Sequence, residues 1–138
     1  MDSKTRIIAT LAGFVTVFLL GWLFYGVLLV DFYAANAGSA VGIMRSDTEM
    51  IWWALIAGNV LQAYLLVYIF SKWTTISTFG GGLQAGLILG LIMGLAFNLS
   101  MYGTTHMMNL TGTLADCVVA AVMTGLTGGV IGMVLGRK

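Results

Sequence analysis

The sequence has no proline, one cysteine and few charges, with Asp, Glu, Lys and Arg making up 8% of its 138 residues. A soluble domain surrounds its core with charged residues, at about a quarter of its composition, so this composition excludes an ordinary soluble domain. The single cysteine, Cys117, has no partner for an internal disulfide, which excludes a disulfide-rich scaffold. The net charge of +1 is too small to indicate a nucleic-acid partner.

Apolar residues are abundant, at 59% of the chain, with a mean hydropathy of +0.99. Crossing a hydrocarbon layer of about 30 Å takes roughly 20 apolar residues of helix, and four stretches have that length. Lipid leaves backbone groups to be paired internally, which favours helices, and no stretch alternates as barrel strands do. The sequence predicts a single all-α domain, residues 1–138, with four transmembrane helices at about 7–30, 51–70, 83–102 and 114–135.

The six cations are distributed unevenly between the two sides of these spans. Only Arg45 lies on one side. Because Lys and Arg near span ends are retained in the cytoplasm, we predict cytoplasmic termini, with residues 31–50 and 103–113 facing outward. This is a multi-pass arrangement in a bacterial-type inner membrane. The five cations on the cytoplasmic side are Lys4, Arg6, Lys72, Arg137 and Lys138, and the interfacial aromatics are Tyr33, Trp52 and Trp53 outside and Trp73 inside.

Two segments have alternative interpretations. The N-terminal region has the basic start and the small residues Ala35-Asn36-Ala37 of a cleaved signal peptide. Its apolar run is longer than the roughly 7 to 15 residues of a signal peptide, which favours an uncleaved span. Residues 31–50 form either a polar loop or a short surface helix, with Asp47 as an N-terminal acceptor.

Glycines recur every four residues at the third span, at Gly82, Gly86, Gly90 and Gly94. Little hydrophobic force draws helices together in lipid, so association depends on the close backbone approach that glycine permits. We predict a tight hairpin of the third and fourth spans, or a row that faces another subunit of a homo-oligomer. A mobile gate is the alternative. The corresponding glycines of the fourth span are Gly125, Gly128, Gly129 and Gly132.

Seven residues with polar or ionisable side chains inside the spans fall between the middle and the predicted outer face, and the inner half is nearly pure Leu, Ile, Val, Gly and Ala. Asp116 is the only acid within a span, and such a group is costly in hydrocarbon unless it faces water, a cavity or a partner. His106 lies on the same side, and an imidazole that meets a carboxylate makes a proton-handling pair. The alternative is that Asp116 lies in the first helical turn, where the helix dipole favours an acid. The other polar residues of the outer half are Tyr25, Asn59, Gln62, Asn98, Tyr102 and Cys117.

Asn59, Gln62 and Asn98 either form hydrogen bonds between helices, worth about 0.6 kcal/mol each, or line a pathway. Met107 and Met108 beside His106 are soft ligands, but one His and one Cys do not make a metal motif, and we expect no metal and no cofactor. No G-x-S-x-G, H-E-x-x-H or phosphate-binding loop is present. We therefore expect the protein not to be an enzyme.

Two short segments resemble a family of small four-span bacterial membrane proteins of unknown function. The family pattern has an aromatic pair on span 1, then a small residue and a proline, and an acid at the head of span 4. Val27 stands in place of the proline, and Ala120 stands where a histidine is common. The resemblance implies the four-span fold and no reaction. The matching segments are Gly21-Trp22-Leu23-Phe24-Tyr25 and Leu114-Ala115-Asp116, in which Trp22, Tyr25 and Asp116 occupy the family positions.

Two functions follow from these patterns. The first is an oligomeric small permease or channel with a polar outer vestibule, formed around Asp116, His106, Asn59 and Asn98. The alternative is a non-catalytic accessory or scaffold subunit that binds the helices of a larger membrane complex. The apolar inner half argues against a conducting monomer and leaves open an oligomeric pore with a hydrophobic gate. The expected partners are the lipid bilayer and other membrane helices or copies of this chain.

Overall fold

The computed structural model describes residues 3–39, 47–72, 75–104 and 106–137. Regular structure in these ranges is helical. Four segments in the described part of the chain, Ser3–Leu28, Trp52–Lys72, Phe79–Thr104 and Leu110–Leu135, are long and apolar enough to cross a membrane. The prediction of an all-α chain with four candidate spans is confirmed. The elements are α1 (Ser3–Leu23), a π-helical turn (Phe24–Leu28), α2 (Val30–Ala35), a 3-10 turn (Asp47–Glu49), α3 (Trp52–Lys72), α4 (Phe79–Thr104) and α5 (Leu110–Leu135).

The fourth span begins earlier than the hydropathy predicts. Asn109 is the N-cap of α5, and its side-chain oxygen accepts a hydrogen bond from the Gly112 backbone N–H at 2.8 Å. Asparagine is among the best N-cap residues because it satisfies an otherwise unpaired N–H group. Asp116 consequently lies in the second turn of α5, and the first turn holds no acid. The interpretation of Asp116 as a first-turn residue is wrong.

The connection at residues 31–50 contains a short helix at its start, where α2 covers Val30–Ala35. Asp47 begins the 3-10 turn that precedes α3, and the side chain of Asp47 lies outside the described residues. Three residues used to predict the orientation also lie outside the described residues, namely Arg45, Trp73 and Lys138. A short helix is therefore present directly after the first span, and the choice between loop and helix for residues 40–46 lies outside the described residues.

The helices pack side by side in the order α3, α1, α5, α4. Helix α5 packs against both α4 and α1, and α1 packs against α3. Along their described lengths, α3 and α4 share no extensive contact, although they follow one another in the chain. The backbones of α3 and α4 are therefore apart, and we name the space between them the gap; at one end, Ala85 and Leu89 of α4 still pack against the buried cluster that contains Leu66 and Phe70 of α3.

A buried apolar cluster fills one end of the bundle, which we name the core end. Its centre is the Phe70 side chain from the last turns of α3, packed with Ala9 near the start of α1 and Leu135 at the end of α5. Ile76, from the connection before α4, packs against the same cluster. The helices are therefore antiparallel to their neighbours in the packing order, as the span prediction requires. The remaining buried members are Leu66, Val67 and Ile131.

At the opposite end, residues 36–38 and 107–109 are joined by hydrogen bonds, and we name this pair of segments the clasp. The Gly38 N–H donates to the Met107 carbonyl at 3.0 Å, and the Asn109 N–H donates to the Asn36 carbonyl at 3.0 Å. The Asn109 amide also donates to Asn36 Oδ1 at 3.2 Å. A Cβ on Gly38 would overlap the His106 carbonyl, so only glycine permits this approach. The first and third connections thus lie at the same end of the bundle.

The buried residues of α4 are Gly82, Gly86, Gly90 and Gly94, and we name their contact with α5 the seam. A Cβ on Gly82 would overlap the Gly128 carbonyl, and one on Gly90 would lie 2.6 Å from Thr124 Cβ. The two backbones therefore approach each other within one chain. On α5, a Cβ on Gly125 would lie 2.6 Å from Leu87 Cδ2, one on Gly129 would lie 2.7 Å from the Phe79 ring, and one on Gly132 would overlap the Thr78 carbonyl.

We expect Gly86→Ala to destabilise the bundle, because the added methyl group would lie 2.9 Å from Gly125 Cα and overlap the Thr124 carbonyl. Overpacking of this kind costs about 1–3 kcal/mol, which lowers the melting temperature measured by circular dichroism in mild detergent. Gly58→Ala in α3 is the matched control, because nothing lies within 4 Å of the position its Cβ would take. Equal melting temperatures for the two variants would contradict a tight seam.

Candidate functional site

Asp116 is the centre of the polar cluster at the clasp end. Its Oδ1 atom accepts hydrogen bonds from the hydroxyl groups of Tyr25 at 2.8 Å and Tyr33 at 2.5 Å. Such O–H···O⁻ contacts to a carboxylate are short and about twice as strong as neutral ones. Within the described residues, Oδ2 has no hydrogen-bond partner. The two phenols therefore anchor one carboxylate oxygen and leave the other available.

A π-helical turn brings the two tyrosines to the same carboxylate. In an uninterrupted α-helix, side chains eight residues apart differ in direction by about 80°. The turn at Phe24–Leu28, closed by the Leu29 N–H bond to the Phe24 carbonyl at 2.9 Å, takes up one extra residue. The effective spacing falls to about seven residues, and the difference in direction falls to about 20°. The ring centroids of Tyr25 and Tyr33 lie 5.3 Å apart.

No basic side chain forms an ion pair with Asp116 in the part of the chain that the structure describes. The described cations flank the core end, where Lys4 and Arg6 are at the start of α1, Lys72 is at the end of α3 and Arg137 follows α5. Asp116 is at the other end of α5. Among the described residues, which do not include Arg45, the carboxylate therefore has two neutral hydrogen-bond donors and no counter-ion.

Asp116 borders a cavity of about 230 Å³ between α3, α4 and α5, which we name the central cavity. Its polar residues are Gln62, Asn98, Asp116 and Thr124. The rest of the lining is apolar, so the site combines one carboxylate and a few amides with a hydrophobic wall, as small-molecule sites commonly do. The apolar residues are Leu65, Leu66, Gly90, Met93, Gly94, Phe97 and Ala120.

Two further cavities continue from the central cavity towards the clasp. The upper cavity, of about 210 Å³, shares Phe97, Asn98 and Asp116 with the central cavity. The clasp cavity, of about 330 Å³, shares Tyr102 and Met108 with the upper cavity. The three cavities therefore follow one another from the clasp to the middle of the bundle, and Asp116 borders two of them.

The structure brings some of the predicted site residues together and leaves others apart. Gln62 and Asn98 line the central cavity with Asp116. The Asn98 amide also lies 3.8 Å from Cys117 Sγ, which is a contact between α4 and α5. The Asn59 amide instead donates to the Leu55 carbonyl of its own helix at 2.8 Å. Asn59 therefore does not bond another helix in the structure, and it is not in the wall of the central cavity.

His106 and Asp116 do not form a pair within the described residues. His106 lines the clasp cavity, whereas Asp116 borders the other two. The described residues contain no group of three or more His, Cys, Asp and Glu side chains that could hold a metal ion. Cys117 is free and buried. The two phenols, rather than the imidazole, are the groups that contact the carboxylate.

Sequence reasoning missed the role of Tyr33, which it interpreted as an interfacial aromatic outside the spans. The eight-residue spacing from Tyr25 carries no signal of contact, because it places the two side chains on different faces of a regular helix. Only the π-helical turn at Phe24–Leu28 restores the common direction. Turns of this type occur frequently at functional sites.

We expect the hydroxyl of Tyr33 to stabilise the fold in a pH-dependent way. Burial raises the pKa of the Tyr33 phenol above its ordinary value of 10.0, and its hydrogen bond to Asp116 raises this pKa further. A pKa raised on folding gives a stabilisation that is fully present below pH 10 and is lost as the pH rises through the raised pKa. Tyr33→Phe should cost about 1 kcal/mol near neutral pH, and the difference from wild type should shrink above pH 10.

Melting temperatures in detergent between pH 7 and about pH 11 test this expectation. Tyr64→Phe is the control, because it removes an exposed hydroxyl that has no hydrogen-bond partner in the described residues. A Tyr33→Phe deficit that stays constant or grows above pH 10 would contradict the assignment.

Comparison of the chain with family models, with curated proteins and with solved structures finds no match. The resemblance to the four-span family of unknown function stays a prediction.

Proposed function

We propose that the protein is a small multi-pass permease or channel of a bacterial-type inner membrane. The row of three cavities forms its outer vestibule, and Asp116 binds a proton or a small cation there. The observation that carries this proposal is the Asp116 carboxylate, which has no counter-ion among the described residues and is anchored by Tyr25 and Tyr33 where two cavities meet. Ionisable groups inside spans are rare and commonly mark ion or substrate pathways, because they are expensive in hydrocarbon.

The proposed orientation places the core end in the cytoplasm and the clasp end outside. Four cations flank the core end, at Lys4, Arg6, Lys72 and Arg137. Positive side chains near span ends are retained on the cytoplasmic side. In this orientation the vestibule opens outward, and both termini are cytoplasmic.

The seam supports a gate at the bottom of the vestibule. Gly90 and Gly94 line the central cavity and also belong to the seam. Towards the core end, the seam continues at Gly82 and Gly86, where the two backbones meet. Passage through one chain therefore requires α4 and α5 to separate or the core end to rearrange. A homo-oligomer would use surfaces other than the seam, since these glycines already pack within the chain.

The gap between α3 and α4 favours the second candidate function, an accessory subunit. A helix of a larger membrane complex could pack against the side of the bundle where α3 and α4 do not meet. This candidate requires no transport, so a flux measurement separates it from the permease.

The orientation is tested with cysteines introduced singly at Ser39, His106 and Lys72, which are all exposed. The native Cys117 is 2% exposed and should not react. In intact cells, an impermeant thiol reagent should label Ser39→Cys and His106→Cys, and Lys72→Cys only after the membrane is opened. Labelling of Lys72→Cys from outside would reverse the orientation.

The permease proposal is tested by flux into proteoliposomes under proton and cation gradients. Asp116→Asn should abolish the flux, because the amide can still accept the tyrosine hydrogen bonds but has no charge to hold a cation. Asp31→Asn is the matched control, since Asp31 is an exposed acid at the clasp end. Absence of flux for the wild-type protein across a panel of protons and cations would favour the accessory subunit.

A further inference from the structure

We propose that the central cavity binds a small organic ammonium ion, with the Asp116 carboxylate as its counter-ion. This inference rests on the proposed function and names the class of solute that the vestibule takes. It follows from three properties of the cavity, which are its charge, the chemistry of its wall and its size.

The charge of the site favours a cation. Asp116 is the only acid in the cavity wall, and no cation of the described chain pairs with it. The two phenols donate hydrogen bonds to Oδ1, but they are neutral, so no described side chain compensates the negative charge. Charged groups in largely apolar surroundings are usually paired. A cationic ligand supplies the missing partner at Oδ2.

The chemistry of the wall distinguishes an organic cation from a metal ion. Calcium and magnesium take six or more oxygen ligands, whereas the central cavity offers one carboxylate, two amides and a hydroxyl. The remaining wall is aliphatic, thioether or aromatic, with Leu65, Met93 and Phe97 as its larger members. These groups pack well against the carbon atoms of a ligand, but they cannot replace the water molecules that surround a hydrated metal ion. A cation that carries its charge among methyl or methylene groups fits both parts of the wall.

Phe97 is placed to contribute an aromatic face. It lines both the central and the upper cavity, as Asp116 does. An ammonium group near an aromatic ring is attracted by the negative face of the ring, and quaternary ammonium ions are commonly recognised in this way. Tyr102 adds a second ring in the upper cavity. The carboxylate and the rings therefore border the same space.

The size of the cavity limits the ligand to a few carbon atoms. An apolar cavity of about 150 Å³ accepts benzene, and sites for drug-sized ligands begin at about 300 Å³. The central cavity, at about 230 Å³, lies between these values.

The test is isothermal titration of the purified full-length protein in mild detergent. Choline is the probe, and 3,3-dimethylbutan-1-ol is its neutral counterpart of nearly identical shape. We expect choline to bind and the alcohol to bind about tenfold more weakly or not at all, since the charge contributes most of the affinity. Asp116→Asn should lose choline affinity by about tenfold or more, and Asp31→Asn should bind as the wild type does.

A second variant keeps the test decisive if Asp116→Asn does not fold. Phe97 is 66% exposed and outside the buried core, so Phe97→Leu should fold normally, as circular dichroism will verify. It should weaken choline binding roughly threefold to tenfold through the lost aromatic face. Equal binding of choline and the alcohol, or choline affinity that neither variant changes, would overturn the proposal.

The binding and flux results together separate the two proposals. Proton or sodium flux that depends on Asp116, without choline binding to the wild-type protein, would overturn the ammonium site and leave the permease standing. Choline binding that depends on Asp116, without flux of any solute, would support the ammonium site and overturn the permease.

Discussion

The close backbone contact between α4 and α5 is the interaction on which the rest of the bundle depends. In lipid, helices gain little from hydrophobic association, so van der Waals packing of near backbones has to hold them together. Helix α5 has 61% of its apolar window buried, against 17 to 22% for the other three spans. It packs against α4 through the seam and against α1 on another face. Helix α5 is therefore the centre of the fold, and it carries Asp116.

Some of the small residues that form the seam also line the central cavity. Gly90, Gly94 and Ala120 lie where the seam meets the central cavity, and their lack of bulk leaves space beside Asp116. Helix α3 packs on α1 rather than on α4, and its Gln62, Leu65 and Leu66 line that space. Helix α4 therefore makes a close backbone contact with α5 on one side and no extensive contact with α3 on another.

The polar cluster depends on irregular backbone. An α-helix that ran without change through residues 24–28 would direct Tyr33 away from Tyr25, and the carboxylate would keep a single phenol donor. The π-helical turn at Phe24–Leu28 and the short α2 that follows bring the second hydroxyl to Asp116. The clasp then holds α2 and the start of α5 together through Asn36 and Asn109. The carboxylate is thereby held at Oδ1, and Asp116 borders the central cavity.

The sequence by itself determined the four spans, because the length of an apolar run is a local property that the thickness of the bilayer selects. It also singled out Asp116 as the one acid within a span, and it placed the first and third connections on one side. Only the tertiary structure decided which groups contact Asp116. Tyr25 and Tyr33 donate hydrogen bonds to it, although they are 91 and 83 residues away in the chain, and His106 does not. The structure also shows that the Asn59 amide donates to the backbone of its own helix. Hydropathy predicted a fourth span that begins later than α5 does. The helix begins after Asn109, whose side chain caps it by a hydrogen bond, and a hydropathy scale does not detect capping. The physical reason is that composition and periodicity report a residue's preference for lipid or water, whereas a contact depends on where turns and close packing direct each helix.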